Sequence, residues 1–386
     1  MTTDMLLTPI QRWAYRNLAR PVFFRCDAER VHEGIIRFGR ILGRRSVTRR
    51  LVRSLYTFSH PALRQRLAGL EFPNPVGLAA GFDKNGLLTR LLPEVGFGFS
   101  EAGSVTGEPC SGNGRPRLWR LPQSRGLVVY YGLVNDGCET IADRLADRPE
   151  RPIPLGVSVA KTNSPDTVET EAGIADYAKA FAVCAPVADY LTVNISCPNA
   201  FGGEPFGTPE RLDRLLTALD GIPTERPVFL KMAADLQPNE AEELARTASR
   251  HRVHGLIMSN LTKRRDHPAI DRRELDRVGP GGLSGPQLHA LSNRLIAHLY
   301  RTFGERFVLV GCGGIFTAEE AYEKIRLGAS LVQLITGMIY EGPQLIGEIN
   351  RGLVRLLEHD GFRDISEAVG SAHRPRMDGA VSAPPT

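Results

Sequence analysis

From about residue 70 the chain alternates short apolar runs with longer amphipathic stretches. The runs are VGLAAG (76–81), FGFSEAGSVT (97–106), PLGVSVA (154–160), YLTVNIS (190–196), VFLKMA (228–233), GLIMSN (255–260), FVLVGCGG (307–314) and SLVQLITG (330–337). Gly or Asn recurs at or near their ends. Strands buried on both faces read as continuous apolar runs rather than as alternation. Helical periodicity falls between many of them, at 174–186, 208–219, 238–250, 286–303 and 317–327. Eight strands alternating with helices predict an α/β fold, a (β/α)8 TIM barrel. A doubly wound sheet is the competing arrangement, but its usual early G-x-G-x-x-G turn is missing.

The first 65 residues follow a different pattern. Residues 9–20 place Ile10, Trp13, Ala14 and Leu18 near one helical face, and residues 28–43 do the same with Val31, Ile35, Phe38, Ile41 and Leu42. Two amphipathic helices are expected over 1–65, as an extension of a barrel spanning 66–366. The end, 367–386, is rich in Gly, Ala and Pro and is expected to be disordered.

Charge sharpens this division. Residues 1–70 hold fourteen Arg, no Lys and four acids, a net of +10, against +5 for the whole chain. The arginines alternate with apolar residues, which suits amphipathic helices better than a solvated polybasic tail. Such helices either pack on the body or lie on a membrane surface with arginines at the head groups. Apolar residues make up 42% of the 386, enough for a sizeable core. No apolar run reaches the ~18 residues of a membrane-spanning helix. The N-terminus lacks the apolar core and cleavage site of a secretory signal. Six cysteines without C-x-x-C spacing indicate reduced thiols in a cytosolic protein. Without H-x-x-x-H or a Cys/His cluster, no metal site is expected.

In a barrel the chemistry lies at the carboxyl ends of the strands. The polar residues there include Lys84, Ser104, Asn135, Lys161, Asn194, Asn199, Lys231, Ser259 and Asn260. They contain no convergent carboxylate pair, which argues against glycosidase chemistry. Amides and hydroxyls suit a neutral, planar ligand with several carbonyl groups. The turns after the last two strands, Gly313-Gly314 and Thr336-Gly337, offer backbone N–H groups to a phosphate. They serve a phosphosugar as well as a flavin mononucleotide, or are simply tight turns. Lys231 lies inside an apolar strand and needs an anionic partner, either a reduced flavin ring or a nearby acid. Cys197, in N-I-S-C-P-N, is a nucleophile or a general base, or else fills the core.

AAGFDKNG (79–86), EAGSVT (101–106), NISCPN (194–199), FLKMAADL (229–236), SNLT (259–262), GGLSG (281–285), VGCGGI (310–315) and GASLVQLITG (328–337) together resemble dihydroorotate dehydrogenase. DAERVHEGIIRFGR in the arm resembles the extension of the class 2, quinone-dependent members. The resemblance implies FMN held by Ala80, Gly81, Ser104, Ser158, Lys231, Ser259, Gly285, Gly314, Ile335 and Thr336, with Lys84 and Asn194 also near the flavin. It implies a pyrimidine, dihydroorotate or its product orotate, surrounded by Lys84, Asn135, Asn194, Asn199 and Asn260. Cys197 stands at the base position. In the family mechanism the base takes the C5 proton while the C6 hydride goes to the flavin.

The chain departs from the class 2 pattern at several points. Class 2 members carry Ser at the base position, whereas this chain has Cys197, as soluble class 1 members do. Tyr130 replaces an arginine on the quinone path, and Ile335 replaces a tyrosine near the flavin. Leu261 replaces a pyrimidine-bonding Thr, and Ser158 a flavin-contacting Asn. The implied setting is the cytoplasmic side of a membrane, with peripheral attachment and a membrane quinone as acceptor. The alternative is a paralogous FMN oxidoreductase acting on another cyclic amide or using a soluble acceptor such as fumarate. A nucleic-acid partner is not expected, because the arm lacks zinc, helix-turn-helix and aromatic-stacking signatures. A degenerate barrel is opposed by Lys84, Cys197 and Lys231.

Overall fold

The computed structural model describes residues 3–147 and 152–374. Eight parallel strands close in chain order. They are β1 (Val76–Asp83), β2 (Phe99–Val105), β3 (Leu155–Val159), β4 (Tyr190–Asn194), β5 (Val228–Met232), β6 (Gly255–Met258), β7 (Val308–Cys312) and β8 (Leu331–Leu334). β8 pairs back onto β1 through Val332–Val76 and Leu334–Leu78. Each strand forms on one apolar run of the sequence, with β1 running two residues past its end, and the five expected helices form at Thr170–Cys184, Pro209–Asp220, Pro238–Ser249, Leu288–Phe303 and Ala318–Arg326.

The barrel's amino end is filled by aromatic rings set against glycines. A Cβ on Gly77 would lie 2.3 Å from the Phe99 ring, and one on Gly156 the same distance from the Tyr190 ring. Phe229 packs on Tyr190 at 5.1 Å between centroids. Phe72, from the hairpin Gln65–Leu67/Leu70–Phe72, meets Phe99 edge-on at 5.5 Å and plugs the end. Above these rings Glu101 is buried and accepts a hydrogen bond from Thr192 Oγ1 at 2.7 Å. Polar side chains thus begin at mid-barrel and accumulate towards the carboxyl end.

That end is roofed by the N-terminal arm. Its helices are α1 (Thr3–Ala14), continued through a π turn into α2 (Arg20–Arg25), then α3 (Ala28–Arg44) and α4 (Ser46–Tyr56). Tyr15 Oη donates to the Ile339 carbonyl at 2.7 Å, and Arg16 and Arg125 share the buried carboxylate of Glu341. Arg12 reaches Glu348, and Arg53 reaches Glu94. Glu29 of α3 is buried against Arg117, which also donates to the Ser111 and Asn113 carbonyls. Burial alone would raise the Glu29 carboxyl, but Arg117 and Arg115 outweigh it and hold it below the usual range.

Three features differ from expectation. α4 is an additional arm helix; its apolar positions Val47, Leu51 and Leu55 recur at helical spacing but face outward among arginines. A three-stranded antiparallel sheet (Leu118–Leu121, Gly126–Val129, Gly282–Ser284) joins two distant loops under the arm. Order also continues past residue 367. Asp364 caps the helix Ile365–Ala368, whose ends are buried, and His373 stacks on Tyr300 at 5.4 Å. A few apolar contacts and a cap outweigh the local Gly and Ala content there. Residues 375–386, the remainder of the expected tail, lie outside the described residues.

Glu29→Gln tests how the arm is held. It leaves the buried Arg117 without a counter-charge, and breaking a buried pair from one side costs about 3–5 kcal/mol. The melting temperature should fall and trypsin should cut the arm faster. Glu33→Gln removes only contacts to the exposed Arg115 and Arg37 and should change neither measurably. Because folding lowers the Glu29 pKa, its contribution is present above the usual carboxylate range and is lost as pH falls through the folded value. Equal effects of the two substitutions would show that this pair does not anchor the arm.

Candidate active site

A cavity of about 480 Å³ lies between the arm and the carboxyl ends of the strands. Its outer half is apolar, walled by Phe23, Phe24, Val31 and Ile35 of the arm and by Leu118, Leu127 and Ile339 of the body. Its inner half holds the polar residues. Ala80, Gly81, Lys84, Ser104, Asn194, Cys197, Asn199, Lys231, Asn260, Gly314, Ile335 and Thr336 all line it, so twelve of the expected site residues meet in one space.

The floor is built from strand ends. Asn194 Nδ2 donates to Ser104 Oγ at 2.8 Å, and Ser104 and Ser158 share a hydrogen bond of the same length. Lys231 on β5 is 3% exposed. Among the described residues it has no ion-pair or hydrogen-bond partner, so the nearby acid that could have explained it is not found. A buried ammonium facing a cavity without a counter-charge is suited to an anionic or electron-rich ligand. At Gly81 an added Cβ would meet only Ile335 Cδ1, at 4.0 Å, so bare backbone faces open space. On the other side, Gly314 has φ +70°, and a Cβ there would lie 2.5 Å from the His289 backbone nitrogen. The capping box of Thr317 and Glu320, with Glu320 accepting from the Phe316 and Thr317 N–H groups, fixes the turn that follows Gly314. Thr336 Oγ1 pairs with Ser284 Oγ at 2.6 Å.

Two asparagines are arranged alike. Asn199 Nδ2 donates to the Val129 carbonyl at 2.9 Å. Asn260 Nδ2 donates to the carbonyl and hydroxyl of Ser196, both at 3.0 Å. Asn260 commits both amide hydrogens to the protein and Asn199 one of its two, which orients each side chain; among the described residues neither Oδ1 has a donor, so each is left as an acceptor for a ligand N–H.

Cys197 sits at the cavity edge on the loop after β4. Burial pushes its thiol up to about 11, the Asn199 backbone and Lys161 pull it down, and Glu204 and Cys110 push it up. Lys161 is buried; its Nζ donates to the Phe201 carbonyl at 2.7 Å, and it shares a small crevice with Cys197. Its partners therefore fix both the loop that carries the thiol and a positive charge near it.

Four expected residues do not line the cavity. Asn135 is saturated within the protein: Nδ2 donates to Thr106 Oγ1 and the Leu133 carbonyl, while Oδ1 accepts from the Gly137 and Thr106 N–H groups. It shapes the loop, and its neighbour Val134 faces the ligand space instead. Ser158 lies behind Ser104. Ser259 Oγ is turned to the Cys312 carbonyl between β6 and β7. Gly285, at φ +146°, lets the chain pass Gly126, where a Cβ would come within 2.9 Å of the Gly126 Cα. Tyr130 does not line the cavity either; Tyr131 does. The sequence reading missed His32, Tyr131 and Val134. His32 lies in the arm fragment that carries the resemblance, so that fragment marked its neighbourhood but not its role.

Residues 62–357 match the family model described as dihydroorotate dehydrogenase. A relative from Roseiflexus sp. strain RS-1, named dihydroorotate dehydrogenase (quinone), is 39% identical over 357 residues, spanning 92% of this chain and 97% of the relative. A Mycobacterium tuberculosis protein of the same name is 39% identical over 360 residues, spanning 92% of this chain and 98% of its own. Among solved structures, DHODH in complex with ferulenol from Eimeria tenella aligns with a TM-score of 0.80 at 29% identity, covering 90% of this chain and 96% of that one. A barrel with this polar floor and roofed mouth, matched over most of its length by such relatives, places the chain in the dihydroorotate dehydrogenase family.

Proposed function

We propose that this protein is an FMN-dependent enzyme that oxidises dihydroorotate to orotate and passes the electrons to a membrane quinone. The observation that carries the reading is the meeting of Cys197, Lys84 and the acceptor amides Asn199 and Asn260 around one space, with the unpaired Lys231 in its floor. FMN fits that floor. Its ring would lie against the bare backbone at Ala80 and Gly81, beside Ser104, Asn194 and Lys231. Its phosphate would lie at Gly314 and Thr336. When bound, it supplies the acceptor for the substrate's hydride.

The chain's own residues do the rest. The two free Oδ1 acceptors match the two N–H donors of a cyclic ureide. Lys84 supplies the cation for a carboxylate. Cys197 Sγ, as thiolate, takes the C5 proton of dihydroorotate. Lys161 stabilises that thiolate electrostatically. The apolar outer half suits the ring and tail of a quinone better than a polar soluble acceptor. Arm side chains such as Trp13, Leu18, Phe38, Ile41, Val47 and Leu51 are exposed amid arginines, which suits peripheral attachment to an anionic membrane. No helix among the described residues is long and apolar enough to cross one.

Cys197→Ala should keep FMN bound, by the visible spectrum, yet slow anaerobic bleaching by dihydroorotate by about 10²- to 10⁴-fold, the usual contribution of a general base. At saturating substrate the parent's bleaching should rise with pH through the neutral range and level only near pH 11, because burial raises the thiol. A plateau at neutral pH, or an alanine variant as fast as the parent, would remove Cys197 from the role.

The acceptor and the membrane are tested together. Reduced enzyme should be reoxidised faster by a ubiquinone or menaquinone analogue than by fumarate; the reverse order favours the paralogue with a soluble acceptor. The protein should co-sediment with phosphatidylglycerol vesicles. Each arginine near the surface contributes about 1 kcal/mol, so salt should release it. Trp13→Ala with Phe38→Ala should weaken the attachment, and equal binding to uncharged vesicles would argue against the electrostatic part.

A further inference from the structure

Lys84 leans on the arm rather than on the barrel. Its Nζ lies 3.4 Å from Nδ1 of His32, on α3, and 3.8 Å from the centroid of the Tyr131 ring. Among the described residues no carboxylate is within ion-pair distance of it. The acids nearest in the structure are committed elsewhere. Asp83 accepts from the Leu87 and Leu88 N–H groups, each at 2.8 Å. Glu29 is held by Arg117 and Arg115, and Glu33 by Arg115.

The polarity of the His32 contact is fixed by its other nitrogen. Nε2 lies 2.8 Å from the Phe82 carbonyl. A carbonyl oxygen only accepts, so Nε2 carries the proton and Nδ1 presents a lone pair. An ammonium only donates, so Lys84 donates to His32. Burial and the Lys84 charge push the imidazole down to about 3, which keeps it neutral throughout the working range. Tyr131 Oη, 3.5 Å from the same Nδ1, closes the far side of the contact.

We propose that His32 is a positioning residue for the substrate lysine: the arm contributes the acceptor that aims the Lys84 ammonium into the pyrimidine space. One N–H goes to His32 and two remain for a carboxylate and the cofactor. The arm then takes part in the dihydroorotate half-reaction as well as in forming the outer chamber. This rests on the reading of Lys84 as a ligand of the dihydroorotate carboxylate.

There is a second consequence in pH. Burial, helped by Arg117 and opposed by Glu29, Asp83 and Glu33, has already lowered Lys84 to about 7. An acceptor for its N–H favours the charged form, so losing His32 lowers Lys84 again. Substrate affinity should then be lost at a lower pH than in the parent.

The test uses the full-length, FMN-loaded protein under anaerobic conditions. The rate of flavin bleaching is followed against dihydroorotate concentration from pH 6 to pH 9. His32→Leu should weaken substrate binding by about tenfold, the worth of a hydrogen bond to a charged group. The effect on the limiting rate should be smaller, and the pH at which affinity falls should move down. His32→Asn and His32→Gln form the second pair. Asn places an amide oxygen near the position of Nδ1, whereas Gln extends towards that of Nε2. Asn should restore both affinity and pH midpoint, and Gln should not. The Asn–Gln comparison also decides the matter if His32→Leu fails to fold. Parent-like affinity and midpoint in His32→Leu, with only quinone reoxidation altered, would overturn the proposal, as would equal behaviour of Asn and Gln. A parent that dihydroorotate does not bleach would instead remove the functional reading beneath it.

Discussion

Closing eight parallel strands forces the barrel to fill one end and leave the other for chemistry. The interior must be packed, because apolar strands with an empty lumen would lose most of their contacts. Here Phe72, Phe99, Tyr190 and Phe229 fill the amino end, admitted by glycines where any Cβ would collide with the rings. Most polar side chains are displaced to mid-barrel and beyond, towards the carboxyl end. Lys231, Asn194 and Ser104 are buried there because the layers beneath them already exclude water.

A mouth built this way must be covered, and the arm covers it chiefly through arginines. Glu341, Glu29, Glu94 and Glu348 each receive at least one arm or loop guanidinium. The apolar faces of α3 and α4 that do not meet the body remain outside. The same residues therefore explain the strong positive charge of the N-terminus and the exposed apolar side chains beside it. Part of that charge is internal glue, and only the remainder is available to a surface.

The barrel strands were legible in the sequence because a strand buried on both faces has only one composition available to it. The Gly313-Gly314 turn and Lys231 were legible for a related reason: each violates its local pattern. What was hidden depended on partners far away in the chain. Asn135 looks the same in sequence whether its amide faces a ligand or is consumed by Thr106, Leu133 and Gly137. Ser259 and Gly285 mark close passages of backbone, which single residues do not announce. The sheet of 118–121, 126–129 and 282–284 pairs segments too short and too polar to stand out. His32 acquires its role only because the arm folds back onto β1.

The outer chamber has walls from two segments that are separate in the chain, with Phe24 and Val31 on one side and Leu118 and Leu127 on the other. A small molecule filling it can bind tightly only while those walls face each other. By mass action such a ligand stabilises the docked arm, adding RT ln(1 + [L]/Kd) to its attachment. An inhibitor of the outer chamber is thus also a clamp on the N-terminus. Its affinity would be lowered by any substitution that loosens Glu29 or Glu341, even though neither side chain lines the chamber.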